Sequence, residues 1–398
     1  MTKPDLSTAS HPYSSDLAAA PPLPTAPAAA VVGRALLSAA VNAVARAAAD
    51  RKSIPILANV LLQATGAGLI LRCSDLDREI SCPVAGAVAP NFAVTVPAHV
   101  LAKVLKEAKA GDTVTITAGA SMAVLDFSGL KVMLNTLPTV DFPQIVAGSW
   151  AHEFTLRTAD FVRALKRTEF AISTEETRYY LNGVFMHNGA PGTLRFVATD
   201  GHKMAIADIA APESSAGMPG VIVPRQTVAE LIYAARGKGA PETVTIRLGD
   251  GLSQFVIGDI VITSKLINGT FPNYARVVPS GNDKRMTIAV ESLDTSIKQV
   301  MMLSPERGRS VKLSMTDSRL RLCSMDPDTG SASADLACDY ASDPMDIGFN
   351  SEYLRSILAN VESDSVAFML ADSGSPALIR GAGDADRGVS FVLMPKRI

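Results

Sequence analysis

Cysteine is scarce here. Cys73, Cys82, Cys323 and Cys338 are the only four in 398 residues, with no C-x-x-C pair and no zinc-ligand spacing. That argues against a disulfide framework and reads as reduced core thiols in a cytoplasmic protein. Histidine is little commoner: there are five, one of them (His11) near the N-terminus, and none sits in a nucleophile-elbow or metal-binding motif. A G-x-x-x-x-G-K-[ST] loop is missing, as is a G-x-G-x-x-G after a strand, so nucleotide phosphates find neither cradle. An excess of one charge is missing too. With 37 Lys and Arg against 39 Asp and Glu the net charge is −2, so any nucleic-acid contact must come from a local basic surface. The expectation is no catalysis, no metal and no cofactor.

Apolar residues make up 47% of the chain, enough for sizeable cores, and the length suggests two or three domains at roughly 150 residues each. The first 27 residues, "MTKPDLSTASHPYSSDLAAAPPLPTAP", are rich in Pro, Ala and Ser and poor in large apolar side chains. Burial cannot offset the entropy of ordering such a segment, so it reads as a disordered tail. A signal peptide is the rival reading, but no apolar run precedes the prolines, and Asp5 and Asp16 stand where positive charge belongs. The next run, "AAAVVGRALLSAAVNAVARAAAD", carries Arg34 and Arg46 and shows helical periodicity. It reads as a soluble helix, with no membrane partner implied.

An internal repeat organises the rest. "VPAHVLAKVL" from Val96, "VPRQTVAELI" from Val223 and "FNSEYLRSIL" from Phe349 align without gaps, 127 and 126 residues apart. Each predicts a helix whose fifth, sixth, ninth and tenth places form one apolar face. The strand-end aspartates Asp75, Asp200 and Asp326 follow at 125 and 126. Pro143, Pro272 and Pro395 are taken as repeat ends. Each unit then reads as a first helix ("TADFVRALKRTEFAIS", "VESLDTSIKQVMMLS"), alternating strands, a second helix and more strands. The fold class is α+β: three copies of a domain with two helices on antiparallel sheets, residues 28–149, 150–273 and 274–398 after a tail of 1–27.

One stretch, "ATDGHKMAIA", sets Asp200 and His202 on either side of Gly201 directly after a strand-like run. A general base would need a nucleophile or a metal from elsewhere. Asp75 and Asp326 recur with no histidine beside them, which favours a structural turn or cap.

"RYYLNGVF", "VATDGHKMA", "VIVPR", "TSKLINGTFPNYARVVP" and the terminal "VLMPKRI" resemble the bacterial sliding clamp, the β subunit of DNA polymerase III, and "SIPILANVLL" is similar to that family's first domain. The resemblance spans roughly residues 28–398. It implies a head-to-tail homodimeric ring of six similar domains, helices inside and sheets outside, that encircles duplex DNA whatever its sequence and tethers polymerases. It further implies short linear peptides from the DNA polymerase III α subunit, the clamp loader, other polymerases and repair proteins as partners. Weak phosphate contacts suffice for such a ring and carry no base information.

By that resemblance Lys103, Lys106 and Lys109, with Arg163, Lys166 and Arg167, fall on helices lining the hole, and Arg51, Arg178, Tyr179 and Tyr180 match DNA-touching positions. Cross-strand packing is the other reading of Tyr180. The peptide groove would comprise Leu181, Thr199, Gly201, His202, Lys203, Met204, Pro272, Arg276, Val277, Val392, Met394, Pro395, Lys396 and Arg397. The chain departs from the family pattern in its tail, in Lys396 where methionine is common, in His99 where arginine is often found, and in Glu175 and Glu176 ahead of "TRYY". These departures leave open a second, specialised clamp copy serving repair or inhibitor resistance. A purely structural ring with no DNA role is the third reading.

Overall fold

The computed structural model describes residues 28–49, 53–66, 68–119, 121–146, 148–236, 240–303, 310–326 and 328–397. The N-terminal 27 residues and Arg51 lie outside them. Three units follow one another, each with two helices: α1 (Arg34–Val44) and α2 (Ala98–Glu107), α3 (Thr158–Glu169) and α4 (Arg225–Ala234), α5 (Val290–Val300) and α6 (Ser351–Leu358). Within each unit the two helices pack on one another. Every helix leaves a strand directly, and only α6 has a side-chain cap, the Asn350 carboxamide accepting from the amides of Glu352 and Tyr353. Helices this short are marginal alone, so burial of one face must stabilise them. On α2 that face is Ala98, Leu101 and Leu105. On α3, Phe161 stacks on Phe255 and meets Phe196 edge-on, both at 5.9 Å, joining the strands on either side.

Among the described residues all the strand pairings are antiparallel, in four sheets of five, eight, nine and four strands. Two of these sheets run from one unit into the next. Ile260–Lys265 of the second unit pairs with Arg78–Val84 of the first, Ile262 opposite Ile80. Val389–Leu393 of the third pairs with Lys203–Ala210 of the second, Val392 opposite Met204. The corresponding strands at the chain's two ends, Leu130–Asn135 and Gly330–Ala337, are the outer strands of the five- and four-stranded sheets.

Three expectations need correction. The run after the tail is not helical throughout: Ala29–Gly33 is a strand between two others, and α1 begins at Arg34. A strand likewise precedes the first helix of the other units, His152–Arg157 and Lys284–Ala289. The alanines of residues 28–30 favour helix, and pairing with a strand on either side overrides that preference. Second, the fifth helix place is not uniformly buried: Thr227 is, Tyr353 is half-buried and Val100 is 44% exposed. Third, Pro143 and Pro272 stand well beyond the last strand of their units, whereas Pro395 follows its strand almost at once, so the prolines are not equivalent.

Candidate functional site

The Asp-Gly-His stretch is a turn. The Asp200 Oδ1 accepts from the amides of His202 and Lys203 at 2.8 and 2.9 Å, and its other oxygen pairs with the Lys203 ammonium. Asp75 accepts from the amides of Asp77 and Arg78 at 3.1 and 2.8 Å, and Asp326 from those of Asp328 and Thr329 at 3.1 and 2.9 Å. One carboxylate closes the same turn three times, as expected of Asp in a turn. Burial alone would raise the Asp200 carboxyl, but its bonds to Lys203 and His202 outweigh that and hold it below the ordinary range. His202 stacks on Tyr353 at 5.8 Å, and its carbonyl accepts from the Met394 amide at 2.9 Å. Among the described residues no group of three or more His, Cys, Asp or Glu could hold a metal ion, and no helix is long and apolar enough to cross a membrane.

Beside this turn lies an apolar groove of about 270 Å³ between the second and third units. Ten of the expected residues line it: Leu181, Thr199, Gly201, His202, Lys203, Met204, Pro272, Val277, Val392 and Met394. Leu181, Met204 and Val392 form a buried floor, while Val277 and Met394 stay 44% and 39% exposed. Such a surface suits an apolar ligand side chain, and methionine adapts to more than one. Phe185 stacked on Phe271 at 4.7 Å supports the floor from behind. Gly201 has φ +92, and a Cβ there would stand 2.7 Å from the Arg178 guanidinium. Arg276, Pro395, Lys396 and Arg397 do not line the cavity: Arg276 is exposed on a short turn beyond Pro272, and the last three continue past Met394.

Arg178, Tyr180, Asn273 and Tyr274 also line the groove, although they were not expected there. Asn273 and Tyr274 sit inside the quoted "TFPNYAR", so a signal existed for them. The Arg178 guanidinium is held by Glu175 at 2.8 and 2.7 Å, a bond that raises its own pKa and lowers that of the glutamate. Tyr180 packs on Gly269, and Tyr179, edge-on to it at 5.8 Å, remains 53% exposed. Of the "RYY" trio, then, Tyr179 faces outward while its neighbours shape the groove.

The basic helix residues divide in the same way. Lys103, Lys106 and Lys166 are exposed; so is Lys109, but α2 ends at Glu107 and Lys109 lies beyond it. Arg163 is half-exposed and held by Glu362 at 3.2 Å and the Ala385 carbonyl. Arg167 corrects the expectation outright. It is 3% exposed and ion-paired with Asp386, so its charge is unavailable to an outside phosphate. Its place beside Lys166 near the helix end made the two look alike; a carboxylate from the third unit draws it inward.

Family models of the DNA polymerase III beta subunit match the chain in three consecutive pieces: the N-terminal domain over residues 30–146, the central domain over 155–273 and the C-terminal domain over 275–397. The chain is 36% identical over 372 residues to the beta sliding clamp of Caulobacter vibrioides, covering 92% of this chain and 99% of the relative. It is 32% identical over 350 residues to that of Escherichia coli K12, covering 87% and 94%. Among solved structures it is similar to the DnaN sliding clamp of Bartonella birtlesii bound to griselimycin, with TM-score 0.88, 38% identity and coverage of 93% and 100%. It is equally similar to the Caulobacter crescentus beta sliding clamp, with TM-score 0.88, 36% identity and coverage of 93% and 99%.

Proposed function

The chain belongs to the DNA polymerase III β-subunit family, the bacterial sliding clamps, and from that premise we propose how its parts divide the work. It is a DNA sliding clamp of replication and does no chemistry of its own. Two copies close head to tail. The supporting observation is the sheet pattern: twice, the strand that ends a unit pairs with the strand after the aspartate turn of the unit before it, and the two strands left over stand at opposite ends of the chain. A second copy supplies both missing pairings at once, forming a closed ring rather than a filament. It also covers two free sheet edges, one of which carries Met133 at 66% exposure.

Duplex DNA passes through the hole. Among the described candidates, Lys103, Lys106, Lys109, Lys166 and the outward Tyr179 are free to touch it, while Arg178 and Tyr180 belong to the groove. The groove takes short peptides from the DNA polymerase III α subunit, the clamp loader and other cytoplasmic partners. Two or three apolar anchors at roughly 1.5–3 kcal/mol each leave about micromolar affinity after ordering costs. A specialised second copy is not favoured, since relatives matched over nearly their whole length are themselves named simply as sliding clamps. Sedimentation equilibrium tests ring closure: twice the 41.7 kDa chain mass is expected, and a monomer at all concentrations contradicts it.

A further inference from the structure

The three aspartate turns are not chemically alike, and the difference falls where two copies would meet. Arg78 stands three residues after Asp75, reaching the Asp75 carboxylate at 3.0 Å and Glu230 of α4 at 3.5 Å. Lys203 stands three after Asp200, pairs with it and lies 4.5 Å from the Tyr353 ring of α6. The same step from Asp326 leads to Thr329, which is neutral. Asp326 is buried, and among the described residues it accepts only from Asp328 and Thr329, with no cation beside it. A second change accompanies the first. The α2 residue 127 before Glu230, the spacing that aligns the two helices, is Lys103. Lys103 is exposed and takes part in no ion pair among the described residues. At the first junction the charges run carboxylate, guanidinium, carboxylate. At the open ends of the chain the middle cation is replaced by threonine and the outer carboxylate by lysine.

We propose that in the closed ring Lys103 of one protomer supplies the cation missing from the partner's Asp326. The inference rests on the ring reading above and deepens it. The ammonium stands where Arg78 stands in the first junction, within reach because a lysine side chain is longer than a glutamate. The charge balance kept within the chain by Arg78 and Lys203 is then completed only by a second copy, which makes this junction the most salt-sensitive of the three. Lys103 thereby leaves the DNA-facing set for the subunit contact.

A double-mutant cycle on the full-length protein tests this, with the dimer dissociation constant read by dilution of a fluorescently labelled pair. Lys103→Met should weaken the dimer about tenfold, Asp326→Asn should do the same, and the double variant should be no weaker than either single one. Asn keeps the acceptor that closes the turn, and thermal melting checks that each variant is folded; Lys103 lies on an exposed helix face, so its variant carries the test even if Asp326→Asn unfolds. Asp328→Asn, the neighbouring acid in the same turn, should leave the constant unchanged. Effects that add, an unchanged constant for Lys103→Met, or a response to Asp328→Asn in place of Asp326→Asn would overturn the proposal. Dimerisation intact in Lys103→Met but with a shallower salt dependence of DNA binding would return that lysine to the hole. A wild-type protein that never dimerises would instead overturn the ring itself.

Discussion

Asp200 and Arg167 show how a charged residue can be committed to the fold while looking functional. Asp200 closes its turn with the same bonds as Asp75 and Asp326, so His202→Ala is expected to create or remove no hydrolytic activity in a substrate screen; any wild-type turnover that disappears with the mutation would contradict this. Arg167 and Asp386 form a nearly dry pair that also receives the Ser363 hydroxyl at 2.6 Å. Removing one partner leaves the other charge buried, so Arg167→Met should cost about 3–5 kcal/mol in chemical denaturation, against under roughly 0.5 kcal/mol for Lys166→Met. Burial pushes the Asp386 carboxyl up, but Ser363, the Glu362 amide and Arg167 prevail and hold it below its ordinary value. A depressed carboxyl contributes its full stability above the unfolded pKa and loses it as pH falls through the folded one. Unfolding free energy should therefore be flat from neutrality to about pH 5 and decline below roughly pH 4. Asp386→Asn should lower the plateau and flatten that decline; an unchanged acid limb would count against the pair. Gly201→Ala places a side chain at φ +92 against Arg178. It should cost about 1–3 kcal/mol and weaken peptide binding several-fold by calorimetry as the guanidinium is displaced.

Among the elements, the strand Val389–Leu393 does two jobs. It extends the second unit's sheet, and its continuation brings Met394 to the groove. Deleting residues 394–398 is expected to abolish peptide binding while leaving the dimer constant unchanged, because the subunit edges lie on other strands; unaltered affinity in a titration would refute this. How much of this was legible beforehand follows from where the signals are local. The helix repeats at Val96, Val223 and Phe349 announce α2, α4 and α6 because helical periodicity is written in neighbouring residues. The strand Ala29–Gly33 was hidden because alanine favours helix and only pairing with Gly86–Ala89 and Thr113–Ala118 overrides it. Ten groove residues came from recognisable motifs. Arg178 and Tyr180 were assigned to DNA because their direction depends on Glu175 and Gly269, neighbours that periodicity does not encode.

The whole molecule explains how a chain of net charge −2 can hold DNA. In the proposed ring, closure does the holding and the lysines only cushion the sliding duplex. Charge reversal at Lys106, Lys109 and Lys166 should thus weaken non-specific binding to short linear duplexes, with no change in melting temperature. The log–log salt slope should flatten by roughly 0.9 for each phosphate that is no longer neutralised. The most direct measurement of the central claim is retention of the loaded protein on nicked circular DNA before and after a single cut that linearises it. Encirclement predicts slow loss from the circle, even in salt that abolishes binding to short duplexes, and rapid loss from the free ends once cut. Equal retention on both forms, or loss from the circle at the same moderate salt that releases short duplexes, would show adhesion instead and contradict it.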